Sequence, residues 1–260
     1  MFSPTFIRKA SILSVLGAAL LASGCTSNNT GSSTNGGMIA SQIANSPFSD
    51  PGSQARNRAY AARPQPQQFD YSSAYASTID STENGDVPIR AFNYKKMNSK
   101  YLRQQVRYFG SEAPGTIVID ISGPFLYFVQ PRGMAMRYGI AVGKEGFGWT
   151  GTANVQRKTT WPTWTPPAEM IQRSPKLAKF AQGMPGGTDN PLGARAIYLY
   201  KNGKDTLYRI HGTTKPFSIG RKASSGCFRM INQDATDLYA RVSPGARVFV
   251  REYLTEVDTK

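Results

Sequence analysis

The chain has 260 residues, of which 40% are hydrophobic, enough for one substantial domain with a tail or for two small domains. An excess of 31 Lys and Arg over 16 Asp and Glu gives a net charge of +15, which suits a polyanionic surrounding such as nucleic acid, anionic lipid or an acidic wall polymer. The basic residues are scattered and no basic run is interleaved with aromatic residues, so nucleic acid is disfavoured as a partner and a solvated cationic surface is the simplest alternative.

The first 24 residues are typical of an export signal. Arg8 and Lys9 give a positive start, and the uncharged run 10–21 has the length of a signal peptide's apolar region but is too short for a stable membrane span. Three small residues then precede Cys25, as in the lipobox of bacterial lipoproteins, where the cysteine receives lipid and becomes the N-terminus. We therefore predict a signal peptide over 1–24 and a lipid on Cys25, with an ordinary secretory signal as the alternative.

The sequence contains two cysteines, Cys25 and Cys227. If Cys25 carries lipid, Cys227 is a lone thiol in an exported protein, where an unpaired thiol is a liability unless it has a function. A disulfide between the two cysteines is the competing interpretation, and it would tie a flexible tail to the far end of the chain.

Residues 25–86 are predicted to form a lipidated, flexible tether. Ser, Asn, Gly and Gln dominate its first half, and its few aliphatic residues cannot offset the entropy lost on ordering. Such a tether would let a membrane-anchored protein reach a distant polymer. The next segment, 87–110, predicts a basic lead-in that packs on the following domain, which we place at 111–255.

This domain is predicted to be mainly β with short helices. Strand candidates bounded by Gly and Pro turns lie at residues 116–121, 125–130, 134–143, 194–200, 206–212 and 246–253. Prolines near the starts of 165–171 and 174–180 favour short helices there. Apolar residues at helical spacing predict a further helix over 232–242, which the sequence Ser-Pro-Gly ends.

The segment 210–232 carries the residues for a covalent reaction. A cysteine nucleophile needs a base or a positive neighbour, because a free thiol is only partly ionised at neutral pH. His211 is the only histidine in the sequence, and it ends a predicted strand 16 residues before Cys227. We therefore expect His211 to act as general base and acid, with its imidazolium form lowering the thiol pKa from about 8.5.

Residues around the cysteine supply the other parts of such a site. Gly226 allows a close backbone approach, and the amides of Ser225, Gly226 and Cys227 are candidate donors to an oxyanion. Arg229 lies two residues after the cysteine, so in an extended chain it points to the same side and suits a substrate carboxylate. Ser224 is a further candidate for substrate binding.

Other interpretations of these residues remain open. Taken alone, a histidine in a strand is usually structural, and a buried lone cysteine is usually a small hydrophobic residue. A serine hydrolase using Ser224 or Ser225 with His211 would make the cysteine incidental. A zinc site needs three or four ligands, whereas the chain offers one histidine and one available cysteine, so we predict no metal and no cofactor.

The segment resembles the catalytic motif of the L,D-transpeptidases, the YkuD domain. The matching residues are His211-Gly212, Ser224-Ser225-Gly226-Cys227-Phe228-Arg229 and Asn232. Upstream strands also resemble the family, so the similarity covers about 111–251 and implies a YkuD-like β-sandwich catalytic domain. It implies that the backbone carbonyl of Gly212 orients His211. Many members have a second histidine where this chain has Ser225, which leaves His211 as the one imidazole available.

The resemblance implies a reaction on peptidoglycan stem peptides. Cys227 would attack the carbonyl that follows the third residue, a diamino acid, and the resulting thioester would pass to an amine of a neighbouring stem, giving a 3-3 cross-link. A protein amine or water could replace that acceptor, and a carbapenem should form an adduct on Cys227. The alternatives are an L,D-carboxypeptidase and a non-catalytic wall-binding lipoprotein. In each case we expect an exported protein of the cell envelope or periplasm, held at a membrane by lipid.

Overall fold

Strands make up most of the regular structure in the computed structural model. The structure describes residues 66–83, 85–144, 149–224 and 226–254. These residues belong to one compact unit, which spans 57–260. The predicted signal peptide, the lipidation site Cys25 and the first part of the predicted tether therefore lie outside the described residues. Within the described ranges, no helix is both long and apolar enough to cross a membrane.

Thirteen strands and three α-helices occur in the described ranges. The strands are β1 Thr78–Thr82, β2 Gly85–Ile89, β3 Gln104–Arg107, β4 Ile117–Asp120, β5 Phe125–Gln130, β6 Met134–Gly139, β7 Val142–Gly143, β8 Gly151–Thr160, β9 Arg195–Lys201, β10 Lys204–His211, β11 Lys222–Ser224, β12 Phe228–Arg229 and β13 Arg247–Arg251. The helices are α1 Tyr71–Ala74, α2 Ala168–Arg173 and α3 Asn232–Arg241. Short 3-10 helices span Tyr94–Lys96, Ser99–Tyr101, Pro131–Gly133, Pro175–Phe180 and Pro216–Ser218.

Nine of these strands form one sheet in the order β12-β10-β9-β8-β13-β4-β5-β6-β3, and two small sheets pair β1 with β2 and β7 with β11. Two neighbouring pairs in the large sheet are parallel, β4 with β13 and β10 with β12. In β4, Ile117 and Ile119 face the main core, whereas Val118 faces a second cluster, because side chains alternate across a strand. Burial on both faces explains why the sequence of β4 is apolar throughout.

The predicted fold class, mainly β with short helices, is confirmed. All six predicted strand regions contain strands, although 134–143 divides into β6 and β7. The predicted helix at 232–242 is α3, and the one at 165–171 corresponds to α2, which begins at Ala168. The predicted helix at 174–180 is a 3-10 helix over Pro175–Phe180.

One central strand has no counterpart in the sequence predictions. β8 is ten residues long and lies between β9 and β13. Only Ala153 and Val155 of this strand are buried, and the rest of its sequence is polar or charged. A strand with one solvent-exposed face and few large apolar residues lacks the β-branched and aromatic composition by which strands are recognised in a sequence.

The predicted tether is wrong from residue 66 onward. Residues 66–103, here called the N-terminal strap, carry α1, β1 and β2 and pack on the domain. Tyr75 is only 1% exposed, and its hydroxyl donates to Asp234 Oδ2 at 3.2 Å and accepts from the Arg103 amide at 2.8 Å. The strap is ordered by aromatic burial, since the rings of Tyr75 and Phe92 lie 5.5 Å apart, and a count of aliphatic residues misses this.

The predicted lead-in, 87–110, is part of the domain itself. Its last strand, β3, pairs antiparallel with β6 and forms one edge of the nine-stranded sheet. The structural domain therefore begins before residue 111.

Candidate active site

The parallel pairing of β10 with β12 brings His211 and Cys227 together. Ile210 pairs with Phe228 and His211 with Arg229, so Cys227 directly precedes the short strand beside the end of β10. His211 is buried, Cys227 is half-buried, and both line one cavity of about 450 Å³. Arg229 and Ser224 line the same cavity.

His211 is held by the backbone of the next residue. Its Nδ1 lies 2.6 Å from the carbonyl oxygen of Gly212. A carbonyl oxygen can only accept, so the neutral ring carries its proton on Nδ1, and the lone pair is on Nε2. This is the contact that the predicted role of Gly212 requires, and it gives a buried imidazole one defined tautomer.

The glycine after His211 is required by its packing against Asn232. A Cβ atom on Gly212 would lie 2.1 Å from Asn232 Oδ1, and one on Gly193 would lie 2.2 Å from it. That amide oxygen accepts from the backbone N–H groups of Ala194 and Thr213, each at 3.1 Å. Asn232 thus ties the start of β9 and the end of β10 to the first turn of α3.

The turn that carries Cys227 is closed by Ser224. The Ser224 hydroxyl donates to the Cys227 carbonyl at 2.5 Å and accepts from the Gly226 amide at 3.2 Å. Gly226 has a φ of 117°, a conformation that favours glycine. The Ser224 hydroxyl, predicted to bind substrate, and the Gly226 amide, predicted to bind the oxyanion, thus contact each other within the turn. Ser225 lies outside the described residues, which leaves the Cys227 amide as the described candidate oxyanion donor.

Burial works against the thiolate–imidazolium pair that the sequence predicts. Burial, helped by the nearby Arg229 and Arg209 guanidinium groups, lowers the pKa of His211 to about 4, against the opposing effect of hydrogen bonds to the backbone of Gly212 and Leu192. Burial also raises the pKa of the Cys227 thiol. Both groups are therefore neutral near pH 7, so an attack by this sulfur would require removal of the thiol proton.

A bulge in β10 provides contacts to the sulfur that sequence reasoning missed. The pairing of β10 with β9 shifts between Asp205 and Arg209, and Leu207 in between has a φ of 63° and is 75% exposed. The Cys227 thiol donates to the Leu207 carbonyl at 3.8 Å, and a hydrogen bond from the Arg209 amide opposes the rise of the thiol pKa. Asp205 is the sequence signal for this bulge, because an aspartate side chain often accepts from the backbone N–H two residues further on. Here it accepts from the Leu207 amide at 2.8 Å.

Arg229 and Arg209 have different partners. Arg209 makes a bidentate ion pair with Asp205, with both N···O distances 2.7 Å. Arg229 has no carboxylate partner among the described residues, and its proximity to Cys227 opposes the fall in its own pKa caused by burial. An unpaired guanidinium beside the nucleophile is suited to a substrate carboxylate.

The far side of the cavity is formed by the segment 161–194, here called the flap. Trp164 and Met184 pair through reciprocal backbone hydrogen bonds of 2.9 and 2.7 Å. Asn190 is fully buried, and its Nδ2 donates to the carbonyls of Pro162, Met184 and Pro185. The cavity is lined by the polar residues together with apolar flap residues, namely Trp164, Pro167, Met170, Pro191 and Leu192. The lining of the site therefore combines apolar side chains with the cations Lys215 and Arg229.

Residues 114–250 match the family model described as YkuD, the L,D-transpeptidase catalytic domain. The match covers more than half of the chain and includes every candidate residue of the cavity between His211 and Asn232. The chain belongs to the YkuD L,D-transpeptidase family.

Two curated relatives from Escherichia coli K12 share this part of the chain. The probable L,D-transpeptidase ErfK/SrfK is 36% identical over 155 residues, which cover 55% of this chain and 47% of the relative. The probable L,D-transpeptidase YcfS is 37% identical over 137 residues, which cover 51% and 42%. The chain thus spans about half the length of these relatives.

A solved structure from Brucella melitensis, described as a probable carnitine operon oxidoreductase, is 51% identical to this chain. The alignment covers 58% of this chain and 94% of that protein, with a TM-score of 0.42. The activity in that description belongs to that protein and is not carried over to this chain.

Proposed function

We propose that this protein is a peptidoglycan L,D-transpeptidase that works through a thioester on Cys227, with His211 as base and acid. The observation that supports this most directly is the parallel pairing of β10 and β12, which brings the two side chains to one cavity in a domain of this family. The substrate would be a peptidoglycan stem peptide, whose carboxylates match the unpaired Arg229.

Acylation would begin with both groups uncharged. His211 Nε2 removes the thiol proton as the sulfur bonds to the carbonyl carbon after the diamino acid. The negative charge that develops on the oxygen of this carbonyl would be stabilised by the Cys227 amide. The C–N bond then breaks, and the terminal D-Ala leaves with the proton that His211 holds. Arg229 would anchor a carboxylate of the donor stem during these steps.

Deacylation would transfer the acyl group to an amine. An amine of a neighbouring stem attacks the thioester, the C–S bond breaks, and the product is a 3-3 cross-link. The L,D-carboxypeptidase alternative differs only in using water, and a protein amine would attach that protein to the wall. The apolar flap residues in the cavity lining favour an amine, because apolar side chains hold water poorly beside the thioester.

Incubation of the full-length protein with tetrapeptide stems, followed by mass spectrometry, tests the reaction. A transpeptidase gives dimers that have lost one D-Ala, whereas a carboxypeptidase gives tripeptides alone. Cys227→Ser should give neither product, because an alkoxide is much harder to form than a thiolate. Product formation by this variant would restore the serine or scaffold alternatives.

We further propose that the protein is exported and anchored by lipid on Cys25. The support is in the sequence, namely the charged start, the apolar run and the small residues before Cys25. Detergent-phase partitioning of the wild type and Cys25→Ala compares the two directly. The wild type should enter the detergent phase and the variant the aqueous phase, and equal aqueous recovery of both would exclude the anchor.

A further inference from the structure

A second cavity of about 260 Å³ adjoins the catalytic cavity. The two cavities share Thr213 and Thr214, the residues that follow His211-Gly212. Arg90 and Phe92 of the N-terminal strap line the second cavity, and Asp189 of the flap lines it as well. Since the family match begins at residue 114, part of this cavity is built by a segment outside it.

Hydrogen bonds and ring contacts fix the walls of this second cavity. Gln233 Nε2 donates to the Arg90 carbonyl at 2.8 Å, and the Phe92 amide donates to the Tyr75 carbonyl at 2.9 Å. The Phe92 ring lies 5.5 Å from that of Phe217, which belongs to the loop between His211 and Cys227. The backbone around Arg90 is therefore anchored on both sides, while its side chain is exposed.

The cavity carries one positive and one negative group. The side chains of Arg90 and Asp189 are exposed, and neither has an ion-pair or hydrogen-bond partner among the described residues. On the other side of Thr213 and Thr214, the catalytic cavity holds its own unpaired cation, Arg229. Each cavity thus has a guanidinium group in its lining, and the two cavities meet at the residues next to His211.

A transfer between two peptides requires both to be held at once. Each stem peptide carries carboxylates, and a separate cation for each would prevent competition for a single guanidinium. An acceptor that presents a free amine and a carboxylate on one carbon is zwitterionic, so a cation and an anion on one cavity suit it. The free end of a diamino acid has this chemistry.

We propose that the second cavity is the acceptor site, in which Arg90 binds the carboxylate of the incoming diamino acid and Asp189 attracts its ammonium group. This inference rests on the proposed transpeptidase function. The acceptor would extend across Thr213 and Thr214 towards the thioester. The ammonium group first gives one proton to Asp189, which leaves a neutral amine. Its nitrogen then bonds to the thioester carbonyl carbon, its second proton passes to His211, the C–S bond breaks, and the sulfur of Cys227 takes up the proton from His211.

Binding is tested without turnover in the full-length Cys227→Ser protein. The probes are a tripeptide stem ending in meso-diaminopimelate and the same peptide with both diaminopimelate carboxylates amidated. Adding Arg90→Ala should weaken binding of the acid about tenfold or more, the effect of losing a charged hydrogen bond, and should remove the preference over the amide. Arg90→Lys should retain part of that preference, because it keeps the charge and loses the planar fork.

Lys95→Ala is the matched control, because it removes one exposed positive charge from the same strap outside the cavity. It should leave the dissociation constants of both probes unchanged. Equal effects of Arg90→Ala and Lys95→Ala would overturn the proposal, since only the net charge would then matter. Asp189→Asn should weaken binding of the peptide whose diaminopimelate carboxylates are free. Equal or tighter binding of this peptide by Asp189→Asn than by the parent protein would also count against the assignment.

A second readout separates this inference from the proposed function. The fraction of acyl-enzyme is measured by intact-protein mass spectrometry, and aminolysis by the acid and amide acceptors is expressed per acyl-enzyme. The acid-to-amide ratio should fall towards one in Arg90→Ala and stay at the wild-type value in Lys95→Ala. Selective binding without any acyl-enzyme in the wild type would reject the proposed function and support the site, whereas normal aminolysis with an unchanged ratio in Arg90→Ala would reject the site.

Discussion

At the scale of single residues, the active site is organised around two groups that are neutral at rest. Burial disfavours the charge on both His211 and Cys227, and the Gly212 carbonyl fixes the proton of the ring on Nδ1. In the proposed reaction, attack by the sulfur therefore depends on removal of its proton by Nε2 at the moment of bond formation. This requirement connects the buried position of the histidine to the pH range in which the protein can act.

The pH dependence of acylation follows from the pKa of His211, about 4. The base is active when unprotonated, so acylation of Cys227 by a carbapenem should change little between pH 8 and 5. With an ordinary histidine pKa of 6.5, the rate would fall roughly 30-fold over this range. Stopped-flow acylation rates provide the measurement, and a loss of rate centred near pH 6.5 would contradict the neutral pair.

Iodoacetamide labelling of Cys227 provides the control for this result. His211→Gln keeps a polar side chain and removes the base. Since the imidazole is neutral, the midpoint pH of labelling should stay close to that of the wild type, while acylation slows. An upward shift of the midpoint in His211→Gln would instead restore the imidazolium originally expected from the sequence.

Arg229 should contribute to substrate binding through its planar fork. It lines the catalytic cavity without a carboxylate partner among the described residues. Arg229→Lys keeps the charge but not the bidentate geometry, so kcat/KM for the donor stem should fall by about 1–3 kcal/mol in transition-state terms. Steady-state kinetics with a stem and its carboxamide analogue measure the effect. Equal losses for both donors would show that Arg229 is structural.

At the scale of elements, the N-terminal strap supports the catalytic corner. Asp80 of β1 binds Arg195 of β9 through both guanidinium nitrogens, at 2.5 and 2.9 Å, and accepts from Trp161 Nε1 at 2.6 Å. The carbonyl of Arg195 accepts from the Gly212 amide at 3.0 Å. The carboxylate of Asp80, which lies outside the family match, is thus connected through Arg195 to the backbone of Gly212, the residue next to His211.

Removal of this anchor should therefore affect both stability and rate. Asp80→Ala leaves Arg195, whose side chain is 8% exposed, without its carboxylate, so the free energy of unfolding should fall by about 2 kcal/mol. The matched control is Asp86→Ala in the same hairpin, where the exposed carboxylate accepts from Ser81 alone among the described residues, and the change should be within about 0.5 kcal/mol. Urea unfolding and acylation rates are measured on both variants, and equal stability would show that the strap does not brace this corner.

The elements also show what the sequence can predict. Strands such as β4 can be predicted because burial on both faces requires a continuous run of apolar residues. The His211–Cys227 segment can be predicted because its glycines and spacing are local features of the sequence. β8 was missed because only two of its side chains enter the core. The strap was missed because its ordering depends on partners far along the chain, such as Asp234 for Tyr75. His211 and Cys227 were expected to be charged because the burial of a side chain cannot be read from the sequence around it.

At the scale of the whole molecule, a buried charged cluster joins the strap, the sheet and α3. Asp234 is fully buried in the first turn of α3 and faces Tyr75 and Arg103 from the strap. Asp237 on the same helix binds Arg103 at 2.7 Å and accepts from Tyr138 of β6 at 2.5 Å. The Arg103 guanidinium is closer to Asp237 than to Asp234, which lies 3.7 Å from Arg103 Nε.

This cluster should make stability depend on pH in a defined direction. Burial raises the pKa of Asp234 to about 7, against the opposing effects of Arg103 and the Tyr75 hydrogen bond. Between about pH 4 and 7 the unfolded chain loses this proton while the folded protein keeps it, so the contribution of Asp234 to stability declines as pH rises through that window. His211 has the opposite sign, because its lowered pKa makes its contribution decline as pH falls from about 6.5 to 4. Urea unfolding of the wild type and Asp234→Asn at pH 4.5 and 7.5 isolates the Asp234 effect, since His211 and the other titrating groups are common to both proteins. The variant should gain stability relative to the wild type as pH rises, and a stability difference that is the same at both pH values would show that Asp234 is ionised throughout.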